Sequence, residues 1–137
     1  MKNILVLCTG NSCRSQMAEA YLRLFAGNKA QIKSAGVEVH GLNPRAVKIM
    51  AEDSIDISSH SSNNVSEYLR EEFDWIITVC DHAKESCPYF PGKALRIHKN
   101  FYDPAKATGT EEEVMSEFRK TRNEIKNWCR DFVQNNL

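Results

Sequence analysis

The apolar run Asn3-Ile-Leu-Val-Leu7 stops at Cys8-Thr-Gly-Asn-Ser-Cys-Arg-Ser15, and from Arg14 onward the apolar residues change period. A continuous apolar run ended by a glycine-containing loop reads as a strand buried on both faces. Met17, Ala18, Tyr21, Leu22 and Phe25 then recur at three- and four-residue steps, which is a helix closed by Gly27-Asn28. A buried strand, a turn of small residues and a helix make a βα unit. Such a strand needs parallel neighbours, and its turn lies at the carboxyl end of a sheet, where ligands gather.

The remaining segments continue the alternation. A weaker strand is expected over Ala30–Ser34, before Ala35-Gly36. Asn43-Pro44 starts a helix, with Asn as cap and Pro in the first turn, and Val47, Met50 and Ala51 are expected on its inner face. Residues 58–64 are polar and read as loop. Trp75–Val79 is a further strand, ending at Cys80 as the first ends at Cys8, and Ala94–Ile97 is the last. Thr110-Glu-Glu-Glu113 fits a capping box, followed by Val114, Phe118, Thr121, Ile125, Trp128 and Phe132 on one helical stripe. Strands alternating with helices imply an α/β fold with a parallel sheet and right-handed crossovers. With no repeat or linker, residues 1–137 are expected to form one catalytic domain.

Eighteen basic residues balance eighteen acidic ones. A chain this neutral has no global field toward nucleic acid or membrane, so neither is expected as a partner and any anion selectivity must be local. The first apolar run is too short for a signal peptide or a membrane span, which makes the cytoplasm the expected location. Five cysteines in such a chain are then read as chemistry or metal ligands before structural bridges.

The loop itself supplies the chemistry. Successive amides of Thr9, Gly10, Asn11, Ser12, Cys13, Arg14 and Ser15 can converge on a tetrahedral oxyanion, and the helix N-terminus adds roughly half a positive charge. Gly10 and Asn11 tolerate the left-handed backbone such a nest needs, and Arg14 can clamp two oxygens of the anion. In that field the Cys8 thiol should ionise well below its free value of about 8.5, with Ser15 in reach to donate to the sulfur. The plainer alternative is a tight turn around a buried cysteine. A lone C-x5-R is weak; its position at a strand-to-helix junction is what gives it force. Asp103-Pro104 is either a general acid in a rigid loop or an ordinary helix-preceding turn, and the residues alone leave those two even.

The segment Cys8–Ser15 resembles the active-site loop of low-molecular-weight protein tyrosine phosphatases. With Gln16-Met-Ala-Glu19 it is closer to the thioredoxin-coupled arsenate reductases of that fold. The likeness continues through Ser34-Ala-Gly36, His40-Gly-Leu-Asn-Pro44, Asp56-Ile-Ser58 and Asp103-Pro-Ala105, so it spans nearly the whole chain. It implies a three-layer fold with a four-stranded parallel sheet flanked by helices, and it makes Asp103 the acid.

Two further cysteines separate the family's two activities. A phosphatase needs one cysteine because water completes its reaction, whereas a reductase must export oxidation as a disulfide. Cys80 and Cys87 match the reductases' second pair, across a polar segment able to form a short helix. The resemblance then implies that Cys8 attacks arsenate, Cys80 attacks Cys8 to release arsenite, and Cys87 attacks Cys80. Thioredoxin reduces the resulting disulfide, in a monomer with no tightly bound cofactor. A phosphatase acting on phosphotyrosine or aryl phosphates is the second reading, and a non-catalytic oxyanion or redox-sensing module the third. A zinc module on Cys8, Cys13, Cys80 and Cys87 fits poorly, given the spacings and the adjacent Arg14. Some of the reductases hold potassium beneath the loop. Asn11, Glu19 and Ser34 match that site, but Asn63 stands where a carboxylate is expected, which weakens cation binding. Tyr102 is a second departure, standing where these reductases often carry an acid. Cys129 is expected as a small buried hydrophobe, and the four histidines show no ligand spacing.

Overall fold

A computed structural model describes residues 1–137. Four strands, β1 (Lys2–Cys8), β2 (Ala30–Gly36), β3 (Trp75–Thr78) and β4 (Leu95–His98), form one sheet in the order β2-β1-β3-β4. All pairings are parallel, as the alternation of strands and helices implies. Helices α1 (Arg14–Ala26), α2 (Pro44–Glu52), the short α3 (Asp81–Glu85) and the long α4 (Glu111–Asn136) connect and flank the strands.

The sequence pattern explains the burial. Ile4 to Cys8 and all of β3 are buried because β1 and β3 are the central strands and both faces are covered. β4 is an edge strand, with Leu95 and Arg96 exposed. α1 is buried from Ser15 to Leu22, since it packs on β1, on β2 and against α4. The α4 stripe closes the core with aromatic contacts: Phe132 meets Trp75 edge-on at 5.7 Å, and Trp128 meets Phe101 at 6.3 Å. Thr110 and Glu113 form the expected capping box.

Chain order moves from β1 outward to β2, then back across to β3. The direction of winding therefore reverses between β1 and β3, and the crevice beyond their carboxyl ends is where such folds bind ligands. Cys8 closes β1 and Cys80 follows β3, so both stand at this point.

Some local expectations differ. The buried face of α2 is Ala46, Ile49 and Met50, with Val47 only half-buried and Ala51 exposed. A phase set by Ala46 at i, i+3 and i+4 buries Ile49 beside Met50, where a phase set by Val47 would put the small Ala51 beside it. β4 begins at Leu95 rather than Ala94. Short 3-10 turns at Gly27–Lys29, Val65–Tyr68 and Pro104–Lys106 lie below the length at which periodicity speaks.

Cys129 is fully buried in α4, and its nearest polar partner is the Ala18 carbonyl at 3.8 Å from Sγ. Burial alone pushes its thiol far up, which leaves it unreactive in the native state. Cys129→Ala should cost about 1 kcal/mol, read from urea unfolding. Mass mapping should find Cys129 unmodified by a thiol reagent until the chain unfolds.

Candidate active site

The loop between β1 and α1 is shaped by where its carbonyl groups go. Val37 N–H donates to Cys8 O, Glu38 N–H to Thr9 O, His40 N–H to Gly10 O and Asn43 N–H to Ser12 O, at 2.8–3.2 Å. Gln16 Nε2 donates to Asn11 O at 2.9 Å, and Met17 N–H to Cys13 O at 3.0 Å. Every carbonyl from Cys8 to Cys13 is thereby drawn to the outside of the loop. None of the amides from Thr9 to Ser15 donates to a protein acceptor. With the carbonyls held outward, these donors and the start of α1 are left for an anion.

Two glycines make this arrangement fit. A side chain at Gly36 would meet Asn11 N at 2.7 Å and Gly10 C at 2.8 Å, so β2 can run beneath the loop only without one. A side chain at Gly10 would strike the His40 ring. The left-handed residue is Asn11 alone, at φ 49°; Gly10 is needed for close approach rather than for backbone sign.

Asn11 is also the hub beneath the sulfur. Its Nδ2 donates to Ser15 Oγ at 2.7 Å and to Ser34 Oγ at 2.9 Å, while its Oδ1 accepts Asn63 N–H at 2.8 Å. Because Ser15 Oγ already accepts from Asn11, its own hydrogen is free to donate to Cys8 Sγ, 3.2 Å away. Gln16 is buried and ties the loop to Ser61 O and His60 Nδ1, at 3.0 Å each. Ser62 Oγ donates to Gly10 O at 3.1 Å. The 37–43 segment is not legible as a loop support because a backbone N–H has no residue-type signature, and the side chains of His60 and Ser62 act through distant partners that only the fold brings to them.

A cavity of about 250 Å³ opens over the loop, lined by Cys8, Thr9, Arg14, His40, Asp103 and Lys106 among others. Arg14 Nη1 donates to Phe101 O at 3.0 Å, and its Nη2 lies 3.5 Å from Asp103 Oδ2. Asp103 Oδ1 accepts Ala105 N–H at 3.1 Å, which caps the short turn beginning at Pro104. The loop that carries this acid is anchored by Phe101, buried against Trp128. Asp103 therefore belongs to both readings at once, a turn cap and a carboxyl facing the cavity.

The other cysteines divide by environment. Cys13 is buried at the loop, and burial first, then the charges of Asp103 and Cys8, push its thiol far up. Cys80 Sγ lies 3.2 Å from Thr9 Oγ1, so it abuts the anion loop itself, and it accepts Ala83 N–H at 3.4 Å. Cys87 sits past the far end of α3, half-buried, with Arg96 Nη1 donating to its sulfur at 2.9 Å. The site thus gathers Cys8, Arg14, Ser15, Cys80 and Asp103 and leaves Cys87 outside.

The residues named for potassium do not fit a cation as arranged. Glu19 Oε1 accepts from Ser34 Oγ at 2.7 Å, and its Oε2 faces Arg23 at 3.2 Å and His60 at 3.5 Å. Asn11 presents its NH₂ to Ser34 and has its oxygen engaged. Asn63 adds no charge; its Nδ2 turns to Glu67. A guanidinium and hydrogen-bonded hydroxyls stand where oxygen ligands would be needed.

Comparison with known proteins agrees with this geometry. Residues 3–137 match the family model of low molecular weight phosphotyrosine protein phosphatase. The chain is 46% identical over 133 residues to an arsenate reductase of Halalkalibacterium halodurans, covering 97% of this chain and 96% of the relative. It is 45% identical to an arsenate reductase of Bacillus subtilis at the same coverage. A solved arsenate reductase in the phosphate binding state superposes with a TM-score of 0.80 at 25% identity, over 98% of each chain.

Asn11→Gly keeps the left-handed backbone but removes the bridge between Ser15, Ser34 and Asn63. It should lower stability by about 2 kcal/mol through stranded partners and weaken inorganic phosphate binding. Urea unfolding and calorimetric titration with phosphate measure the two effects. Unchanged phosphate affinity would mean the network does not support the loop.

Proposed function

Because the chain belongs to the low-molecular-weight phosphotyrosine protein phosphatase family, and its relatives at about 46% identity are arsenate reductases, we propose that it reduces arsenate to arsenite through three cysteines. The observation that carries this reading is the second sulfur: Cys80 Sγ rests 3.2 Å from Thr9 Oγ1, on the loop that holds Cys8. Ester hydrolysis has no use for a thiol there.

The anion binds to the inward amides and Arg14. The Cys8 thiolate attacks arsenic, and one arsenate oxygen leaves as water with a proton from Asp103. The Ser15 hydroxyl steadies the sulfur before attack and on its release. Thr9 Oγ1–H can donate to Cys80 Sγ, and the start of α3 presents Ala83 N–H to the same sulfur, so both hold that sulfur against the anion loop. Cys80 then attacks Cys8 Sγ. A disulfide forms, the electron pair of the sulfur–arsenic bond passes to arsenic, and arsenic(V) leaves as arsenic(III) in arsenite. Finally Cys87 attacks Cys80, freeing Cys8 and placing the disulfide at the edge of the molecule.

Thioredoxin is the proposed reductant, since its dithiol can regenerate an exposed disulfide. The setting is the reducing cytoplasm, with the chain acting as a monomer in arsenic detoxification. No helix is long and apolar enough to cross a membrane. The same loop and acid should also cleave an aryl phosphate ester slowly, because that reaction needs only Cys8, Arg14 and Asp103.

Arsenate supplied with thioredoxin, thioredoxin reductase and NADPH should drive NADPH oxidation that depends on both arsenate and the enzyme. Strong ester cleavage without such oxidation would favour the phosphatase instead. Cys87→Ser should release about one arsenite per chain and then stall, because the Cys8–Cys80 disulfide cannot pass outward. Sustained turnover by that variant would sink the relay.

A further inference from the structure

β4 contributes no group to the anion cavity, yet two of its side chains reach the segment that carries the relay cysteines. Arg96 and His98 stand two residues apart, so they leave the same face of the strand. His98 Nε2 lies 2.7 Å from Asp81 Oδ1 in the first turn of α3, and its Nδ1 lies 2.7 Å from Thr78 Oγ1. Asn100 Oδ1 accepts Asp81 N–H at 3.2 Å. Past the other end of α3, Arg96 Nη1 donates to Cys87 Sγ at 2.9 Å. One strand thus holds the redox segment at both ends.

These contacts belong to the dithiol form. Cys80 caps the start of α3 and Cys87 follows its end, so at about 1.5 Å per helical residue their Cα atoms stand on the order of 10 Å apart. A disulfide tolerates at most about 7 Å. Their sulfurs also face different ways, one buried on Thr9 and one on exposed Arg96. For the bond to form, α3 must open, which removes the helix start that His98 holds. Bond formation also turns the Cys87 thiol into a disulfide sulfur, a poor acceptor for Arg96.

We propose that Arg96 and His98 are positioning residues that favour the dithiol form of the Cys80–Cys87 pair and so make its disulfide easier for an external dithiol to reduce. The inference rests on the relay described above. In the exchange, the external dithiol gives two electrons and two protons. The Cys80–Cys87 bond breaks, two thiols form, and the donor becomes the disulfide. Contacts that exist only on the dithiol side shift this equilibrium toward reduction and raise the potential of the couple.

The test equilibrates the full chain with mixtures of reduced and oxidised dithiothreitol. Free thiols are alkylated, and the state of the peptides carrying Cys80 and Cys87 is read by mass spectrometry. In Arg96→Gln the equilibrium constant for reduction should fall about tenfold, which is about 30 mV more negative. Arg96→Lys, which keeps a charged donor, should recover part of the loss, and His98→Gln should show a smaller fall of about threefold, or ~15 mV. A purely structural role for Arg96 would change urea unfolding and leave the potential alone. Potentials equal to the unmodified chain in both Arg96→Gln and His98→Gln would overturn the proposal while the relay stood. Failure of the unmodified chain to form a Cys80–Cys87 disulfide at all would overturn the relay, and this inference with it.

Discussion

The site depends on the outward pull exerted on the carbonyls of the loop by the segment just after β2. Backbone amides from Val37 to Asn43 take up the carbonyls of Cys8, Thr9, Gly10 and Ser12. A peptide unit cannot turn its oxygen out without turning its N–H in, so anion affinity here follows from backbone pairing on the opposite side of the loop. That explains why the constraint reaches into the sheet. The pairing needs β2 parallel to β1 in the register Cys8 with Gly36, and it needs Gly36 to lack a side chain. Sheet register, one missing Cβ and the inward amides are a single arrangement.

This also accounts for what could be read from the residues and what could not. β1, α1 and α4 announce themselves by regular patterns: burial is continuous in Ile4–Cys8 and stepped by three and four along Val114 to Phe132, while the apolar residues Met17, Ala18, Tyr21 and Leu22 keep helical steps within a stretch buried all round. The loop is legible because its residue types are unusual for a turn. α2 was misphased, since Val47 and Ala51 look as apolar as Ala46 and Ile49 until packing chooses between them. The 37–43 ladder left no trace in residue type, because any non-proline amide can donate. His60 and Gln16 were silent for a related reason. Their roles lie in which distant carbonyl or carboxylate they meet, and that is fixed by the fold rather than by spacing.

Charge follows the same economy. The chain as a whole is neutral, so the anion is met by dipoles and by one guanidinium that Asp103 already balances in part. Beneath the loop, Glu19 is not left to attract a cation. Arg23 and His60 face it, Ser34 donates to it, and Asn11 passes the hydrogen-bond chain up to Ser15 and Cys8. The neutral Asn63 fits this internally compensated arrangement, in which hydrogen bonds of fixed direction support the loop.

The five cysteines are then separated by their surroundings more than by their positions. Cys13 and Cys129 lie in places where burial dominates, so both thiols are pushed far up. Cys8, Cys80 and Cys87 each have a polar neighbour on sulfur: Ser15, Thr9 and Arg96 in turn. In the proposed relay, the shortness of α3 is what would let the last two exchange partners. A helix of five residues has barely passed the cost of its own nucleation, so it is held mainly by what touches its ends. A longer helix between Cys80 and Cys87 would bury more surface and resist opening, and a disordered loop would not keep Cys80 against Thr9. On the proposed relay, the segment is stable enough to aim one sulfur at the anion loop, and weak enough for its outer contacts to govern when the other sulfur is reached.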